Sequence, residues 1–123
     1  MSLPIDFTEG RMKLFTSTGE SLGERIQSAF PEAKVVKAMN YIAAGVMVNP
    51  NMVARGDHDL FMCGNDGAAK QTISGLLKHA FGWQRIYGLG DISAAQATEG
   101  LASLDSRVAS VLGHGMINFK VSH

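Results

Sequence analysis

Residues 61–77, FMCGNDGAAKQTISGLL, set a short apolar run, a glycine-bearing turn and a helix-like pattern in succession. α/β proteins build phosphate sites in that order, with backbone N–H groups and a helix dipole facing the anion. A dinucleotide cradle needs Gly-x-Gly-x-x-Gly after a strand, because the glycines allow a tight turn and close approach of the pyrophosphate. Gly64 and Gly67 are three apart, not two. No Gly-Lys-Ser/Thr closes the turn, which excludes a P-loop. Asp66 is placed to cap the helix, and so sets a carboxylate where a phosphate would bind. Gly88, Leu89 and Gly90 form a second candidate. The third glycine of that pattern falls at Ser93, and Asp91 again adds an acid. Both stretches read as strand–turn–helix junctions.

Other reactive side chains form no site on paper. His58, His79, His114 and His123 are scattered. His58 stands between Asp57 and Asp59, but adjacent loop residues lack a ligand spacing. They read as a solvated charge cluster, and no metal is expected. His79 reads as a helix C-terminal residue, where positive charge is favourable. Cys63 sits in an apolar run and reads as an inert small hydrophobe rather than a nucleophile. No Ser-His-Asp arrangement is visible, and no catalytic residue is assigned.

The elements that would position these residues follow from periodicity. Ser21 and Glu24 fit a capping box. Leu22, Ile26, Ala29 and Phe30 then share one helical face, and Pro31 ends it. Residues 34–40 form a β-branched run covered on both faces. Residues 42–50 read as a loop or short helical turn. Residues 60–63 make a second strand, and Ala69, Ile73, Leu76, Leu77 and Ala80 mark an amphipathic helix ending near Gly82. Residues 85–89 make a third strand. Ser93 and Gln96 suggest another capping box, before a long helix with Ala97, Leu101, Leu104, Val108, Val111 and Leu112 on its apolar face. Ile117, Phe119 and Val121 alternate with polar residues and predict a half-exposed final strand. Residues 16–21, TSTGES, hold turn and cap types. Alternating strands and helices imply an α/β sheet, at least partly parallel.

A chain of 123 residues suits a single α/β domain over 1–123, in which residues 1–3 could be vector-derived. Eleven basic residues balance eleven acidic ones, so no field draws nucleic acid. The single cysteine predicts a reducing, cytoplasmic setting. No apolar run reaches the roughly 20 residues of a membrane span, and no signal pattern opens the chain.

Three motifs in order carry a resemblance. Val35, Val36, Lys37, Ala38 and Asn40 come first; then Cys63, Gly64, Asn65, Asp66, Ala69 and Lys70; then Gly90, Asp91, Ala95, Thr98 and Glu99. The set resembles the C-terminal half of deazaflavin-dependent NADP reductase-like proteins, and is similar to the oxidoreductase domain of the STEAP metalloreductases. The opening PIDF resembles the segment after an earlier strand of that family. Tyr41 and Gln96 depart from its common Thr and Arg. The resemblance implies a partial Rossmann-like three-layer sheet, with about four strands, mixed, flanked by helices. The N-terminal nucleotide-binding half would be lacking. It implies NADP, with deazaflavin or flavin, as cofactors. It places Asn40, Tyr41, Ile42 and Ala43 at the cleft for nicotinamide and the second cofactor. The residues alone favour Asn40 as a strand end that caps the next turn. Lys37 reads as snorkelling to a sheet end or pairing with an acid, and Met39, Met47 and Met62 as core filler.

A Rossmann unit without its first half exposes the edge of the 34–40 strand. Two partners suit that edge: a second copy, giving a homodimer or higher oligomer, or a separate chain carrying the nucleotide-binding half. Residues 4–19 folding back as a substitute strand is a third possibility. Two functions follow: a fragment or subunit of an NADP-dependent oxidoreductase, inactive alone, or a non-catalytic binding module that kept the fold.

Overall fold

The computed structural model describes residues 5–8, 11–14 and 19–123, with side chains described from residue 19. Most of the expected 16–21 turn, and residues 1–3, lie outside them. Strands β1 (Ile5–Thr8) and β2 (Arg11–Leu14) pair antiparallel in a sheet of their own. They therefore do not act as a substitute strand for the 34–40 edge.

Helix α1 (Leu22–Ala29) starts on the expected capping box. Ser21 Oγ accepts from the Glu24 amide at 3.1 Å, and the Glu24 carboxylate accepts from the Ser21 amide at 2.8 Å. The Ser21 amide holds the Glu24 carboxyl below the usual carboxylate range. The expected apolar face is only partly covered: Leu22 and Ile26 are half-buried, and Phe30 is 63% exposed.

Strand β3 (Val36–Ala38) is shorter than the 34–40 run predicts. Met39 ends it with a φ of 59°, a left-handed conformation unusual for a non-glycine. Helix α2 (Ala44–Val48) and short 3₁₀ turns lead to β4 (Asp59–Gly64). Helix α3 (Gly67–Leu76) follows, capped by Asp66 as expected, and continues into a π turn, Leu77–Phe81. Gly82, at φ 86°, stops it. Strand β5 (Arg85–Gly88), a 3₁₀ turn and helix α4 (Ala95–Leu112) complete the order.

The main sheet runs β3-β4-β5. β4 pairs antiparallel with β3 and parallel with β5, so the sheet is mixed. The α/β class stands, with a three-strand mixed sheet and four helices rather than about four strands in the sheet. The missing strand is the final one. Residues 117–121 form no ladder and lie as irregular chain beside the start of β4. Their alternation is real, since Ile117 is buried and Phe119 packs on the core. Side-chain bonds replace strand pairing there: the Asp59 carboxylate takes the Val121 amide at 2.6 Å.

The core gathers Tyr41, Ile42, Val46, Leu60, Met62, Leu77, Trp83 and Ala102. Met39 and Met47 pack against it, as filler. Among the described residues, no helix is long and apolar enough to cross a membrane.

Two expectations about α4 fail. Ser93 and Gln96 do not form a capping box: Asp91 takes the Ser93 amide, and the Gln96 amide donates instead to Gly19 O and the Glu24 carboxylate. The buried face of α4 carries Ala95, Thr98, Glu99 and Ala102. Of the expected stripe, Leu101 packs on the core and Val108 is half-buried, but Leu104 (50%), Leu112 (53%) and Val111 (86%) are exposed.

Gly64 closes β4 where a Cβ would stand 2.6 Å from the Val35 carbonyl oxygen. Backbone cannot yield as a side chain does, so Gly64→Ala is expected to cost about 1–3 kcal/mol. Chemical denaturation checks this through a lower midpoint at unchanged slope.

Candidate functional site

Four residues of the quoted motifs converge although two strands and two helices separate them in sequence. Lys37 Nζ lies 3.1 Å from Glu99 Oε1, with the two side chains 9% and 1% exposed. The Glu99 carboxylate also accepts from the Leu22 amide at 3.0 Å and the Gly23 amide at 2.9 Å. Beside it, the Asn40 amide nitrogen donates to the Thr98 carbonyl at 2.6 Å. Thr98 Oγ1 donates in turn to the Ala95 carbonyl. β3 delivers Lys37 and Asn40, and α4 delivers Thr98 and Glu99. Lys37 pairs with an acid, one of its two expected roles.

The segment 40–43 faces inward. Asn40 is 7%, Tyr41 3% and Ile42 5% exposed. Tyr41 Oη accepts from the Phe61 amide at 3.2 Å, and burial raises its phenol above the ordinary range. Ala43 is half-buried and precedes α2. Asn40 Oδ1 is buried with no hydrogen-bond donor.

The glycine turns are tied to one another. The Gly64 amide donates to Gly90 O at 3.1 Å and Lys70 Nζ to the same oxygen at 3.0 Å. Asn65 Oδ1 takes the Ile92 amide at 3.0 Å. The Asp66 carboxylate takes the Ala69 amide at 2.7 Å. A cavity of about 620 Å³ opens beside this region, lined by Glu20, Glu24, Gln27, Ser28, Asn65 and Ile92 among others. Its acids repel phosphate. At the two turns and the α1 start, carboxylates of the chain's own (Asp66, Asp91 and Glu99) take the Ala69, Ser93, Leu22 and Gly23 amides, which disfavours a pyrophosphate there.

The remaining candidates separate. Cys63, on β4, is fully buried against Ile92 and Ala95, and burial pushes its thiol up to about 11. His58 and Asp59 are buried rather than solvated, which corrects the expected exposed cluster; only Asp57 is exposed, bonded to Arg85 and Lys120. Among the described residues no group of three or more His, Cys, Asp or Glu is placed to hold a metal. His79 sits in the last turn before Gly82, exposed. Local pattern could not reveal the role of Glu99, because its partners lie 62, 76 and 77 residues away.

These features define an α/β chain whose sheet, helix starts and buried ion pair are settled before any ligand enters. It is similar to a solved protein from Arthrobacter sp. fb24, described as a "putative f420 dependent nadp-reductase", with a TM-score of 0.93 and 43% identity. The match covers 98% of this chain and 55% of that one, so the chain spans about half the relative's length. The resemblance read from the motifs and this likeness agree. No protein-family profile matches the chain, and no curated protein matches it.

Glu99→Gln would take the carboxylate charge from the Lys37 ammonium and from the Leu22 and Gly23 amides. A loss of about 3–5 kcal/mol is expected, as for other broken buried pairs. The check is the denaturation free energy at neutral pH, set against Glu20→Gln, an exposed control. Cys63 should resist alkylation at pH 8 in the native protein and react once denatured; mass spectrometry reads the adduct.

Proposed function

We propose that this chain is the scaffold half of an NADP-dependent oxidoreductase that moves a hydride between NADP(H) and a deazaflavin or flavin acceptor. The observation that carries the reading is the 43% identity over 98% of this chain to a protein described as an F420-dependent NADP reductase. F420 is a deazaflavin, so the printed description and the motif resemblance name the same chemistry. Bound cofactors would supply the hydride chemistry itself; the polypeptide supplies binding and orientation.

In this reading the pyrophosphate is gripped by polypeptide outside the matched residues, since carboxylates stand at the helix starts here. The segment of Asn40, Tyr41, Ile42 and Ala43 forms the back wall of the cleft. The donorless Asn40 Oδ1 supports that assignment, because a carboxamide N–H is its natural complement.

The partner is a chain carrying the nucleotide-binding half, docked on the outer edge of β3. β3 stands at one end of the order β3-β4-β5. A groove of about 410 Å³ lined by Lys34, Val36, Ala68, Ala69, Thr72 and Ile73 runs beside it. Main-chain bonds along an open edge give affinity, and the groove gives selectivity.

Titration of the chain with NADPH, followed by Trp83 fluorescence and by calorimetry, tests this. No saturation is expected up to millimolar nucleotide with the chain alone. Saturable micromolar binding is expected once a chain bearing Gly-x-Gly-x-x-Gly is added. Tight binding by this chain alone would refute the scaffold assignment. A light-scattering mass of two copies, unchanged by the added chain, would assign the edge to a homodimer instead.

A further inference from the structure

Residues 117–121 cross the start of β4 without joining the sheet, and a single histidine organises their attachment. His58 is 2% exposed. Its Nε2 lies 2.8 Å from the Pro50 carbonyl and its Nδ1 lies 2.6 Å from Asn118 Nδ2. A carbonyl only accepts, so Nε2 carries the proton. An amide NH₂ only donates, so Nδ1 accepts. The same Asn118 nitrogen donates to the Asp59 carbonyl at 3.0 Å, which fixes the amide's orientation. Asn118 Oδ1 is left buried and unbonded. The ring of Trp83 meets His58 edge-on at 5.2 Å and closes the pocket.

We propose that residues 117–121 form a strap held shut by neutral His58, and that protonation of Nδ1 releases it. The imidazolium places Nδ1–H against the Asn118 NH₂, two donors face to face. Rotating the Asn118 amide turns Oδ1 toward the histidine, but then sets that oxygen against the Asp59 carbonyl. Either way the strap loses a bond at its centre. What it covers is Tyr41: the Phe119 and Tyr41 rings lie 6.0 Å apart. Release therefore uncovers the Tyr41 ring.

The other ionic groups around the strap are Asp57, Asp59, Arg85 and Lys120. Arg85 bridges Asp57 and Asp59, Lys120 bonds Asp57 at 2.7 Å, and the Asp59 carboxylate takes the Val121 amide. Two acids and two bases balance. Pro50, Asn118 and Trp83, which touch the ring, carry no charge. Exposed His114 accepts from the Met116 amide and touches neither His58 nor Asn118.

Nitrogen-15 NMR of the histidine rings across pH 4–8, with amide exchange corrected for intrinsic rate, tests the strap. The expected neutral form is protonated at Nε2. The amides of Asp59 and Val121, bonded to Phe119 O and the Asp59 carboxylate, should lose protection in step with His58 protonation. The Gly64 amide should keep its protection. His58→Gln should abolish the step; if that variant fails to fold, the wild-type coincidence of the two curves decides alone. Asp57→Asn, which takes the charge from the exposed Arg85 and Lys120 contacts, should leave the step in place. Strap amides that stay protected after His58 is charged, or that open only with carboxylate protonation, overturn the proposal.

Discussion

The Glu99 carboxylate binds three donors at once: the Lys37 ammonium on β3 and the first two amides of α1. A lone carboxylate at 1% exposure would be intolerable. Here the ion pair and two charge-assisted bonds compensate the lost water, each in good geometry. Three elements are thereby fixed to one point. The site also allows α1 to approach closely, because Gly23 sits where a Cβ would come within 3.0 Å of the Ala95 Cβ. Such a pair need not add net stability over an apolar core. Its effect is to determine which face of α4 meets the sheet.

That determination explains the largest departure from the sequence pattern. Ala95 and Leu104 are nine residues apart, about two and a half turns, and so lie on opposite faces. With Glu99 turned inward, Ala95, Thr98 and Ala102 must follow it, and the Leu104 and Val111 side must face out. Hydrophobic periodicity marks that a face is apolar; it does not say which body covers it. Elements governed by neighbours in sequence were legible: the capping box of Ser21 and Glu24, the Asp66 cap, the Gly82 stop, and three strands in order. Those governed by distant partners were not. Gln96 suits a capping box with Ser93 until Glu24, brought alongside by α1, offers a charged acceptor. Residues 117–121 alternate like a strand, yet side chains of β4 take the bonds that a ladder would use.

Of the candidate site, the residue types were readable and their grouping was not. Lys37, Asn40, Thr98 and Glu99 entered as separate motif matches. Only the antiparallel register of β3 on β4, with Lys37 opposite Cys63, brings them against α4. The acids at the helix starts could be read locally at Asp66 and Asp91, and both do accept amides. At α1 the acid comes from Glu99, far along the chain. Chemically the three are alike: each sets a carboxylate of the chain's own at the start of a helix or 3₁₀ turn, which disfavours a bound anion there.

Isolated exposed apolar side chains are ordinary on protein surfaces. Aligned ones are different. Leu104 and Val111 continue one stripe along α4, and Phe30 stands bare at the end of α1. The relative from Arthrobacter has residues beyond the matched 55% of its length. Among the described residues, two buried amide oxygens, of Asn40 and Asn118, have no partner. An apolar stripe of this kind is a surface that hydrophobic burial would favour covering, whereas the core beneath it is already packed.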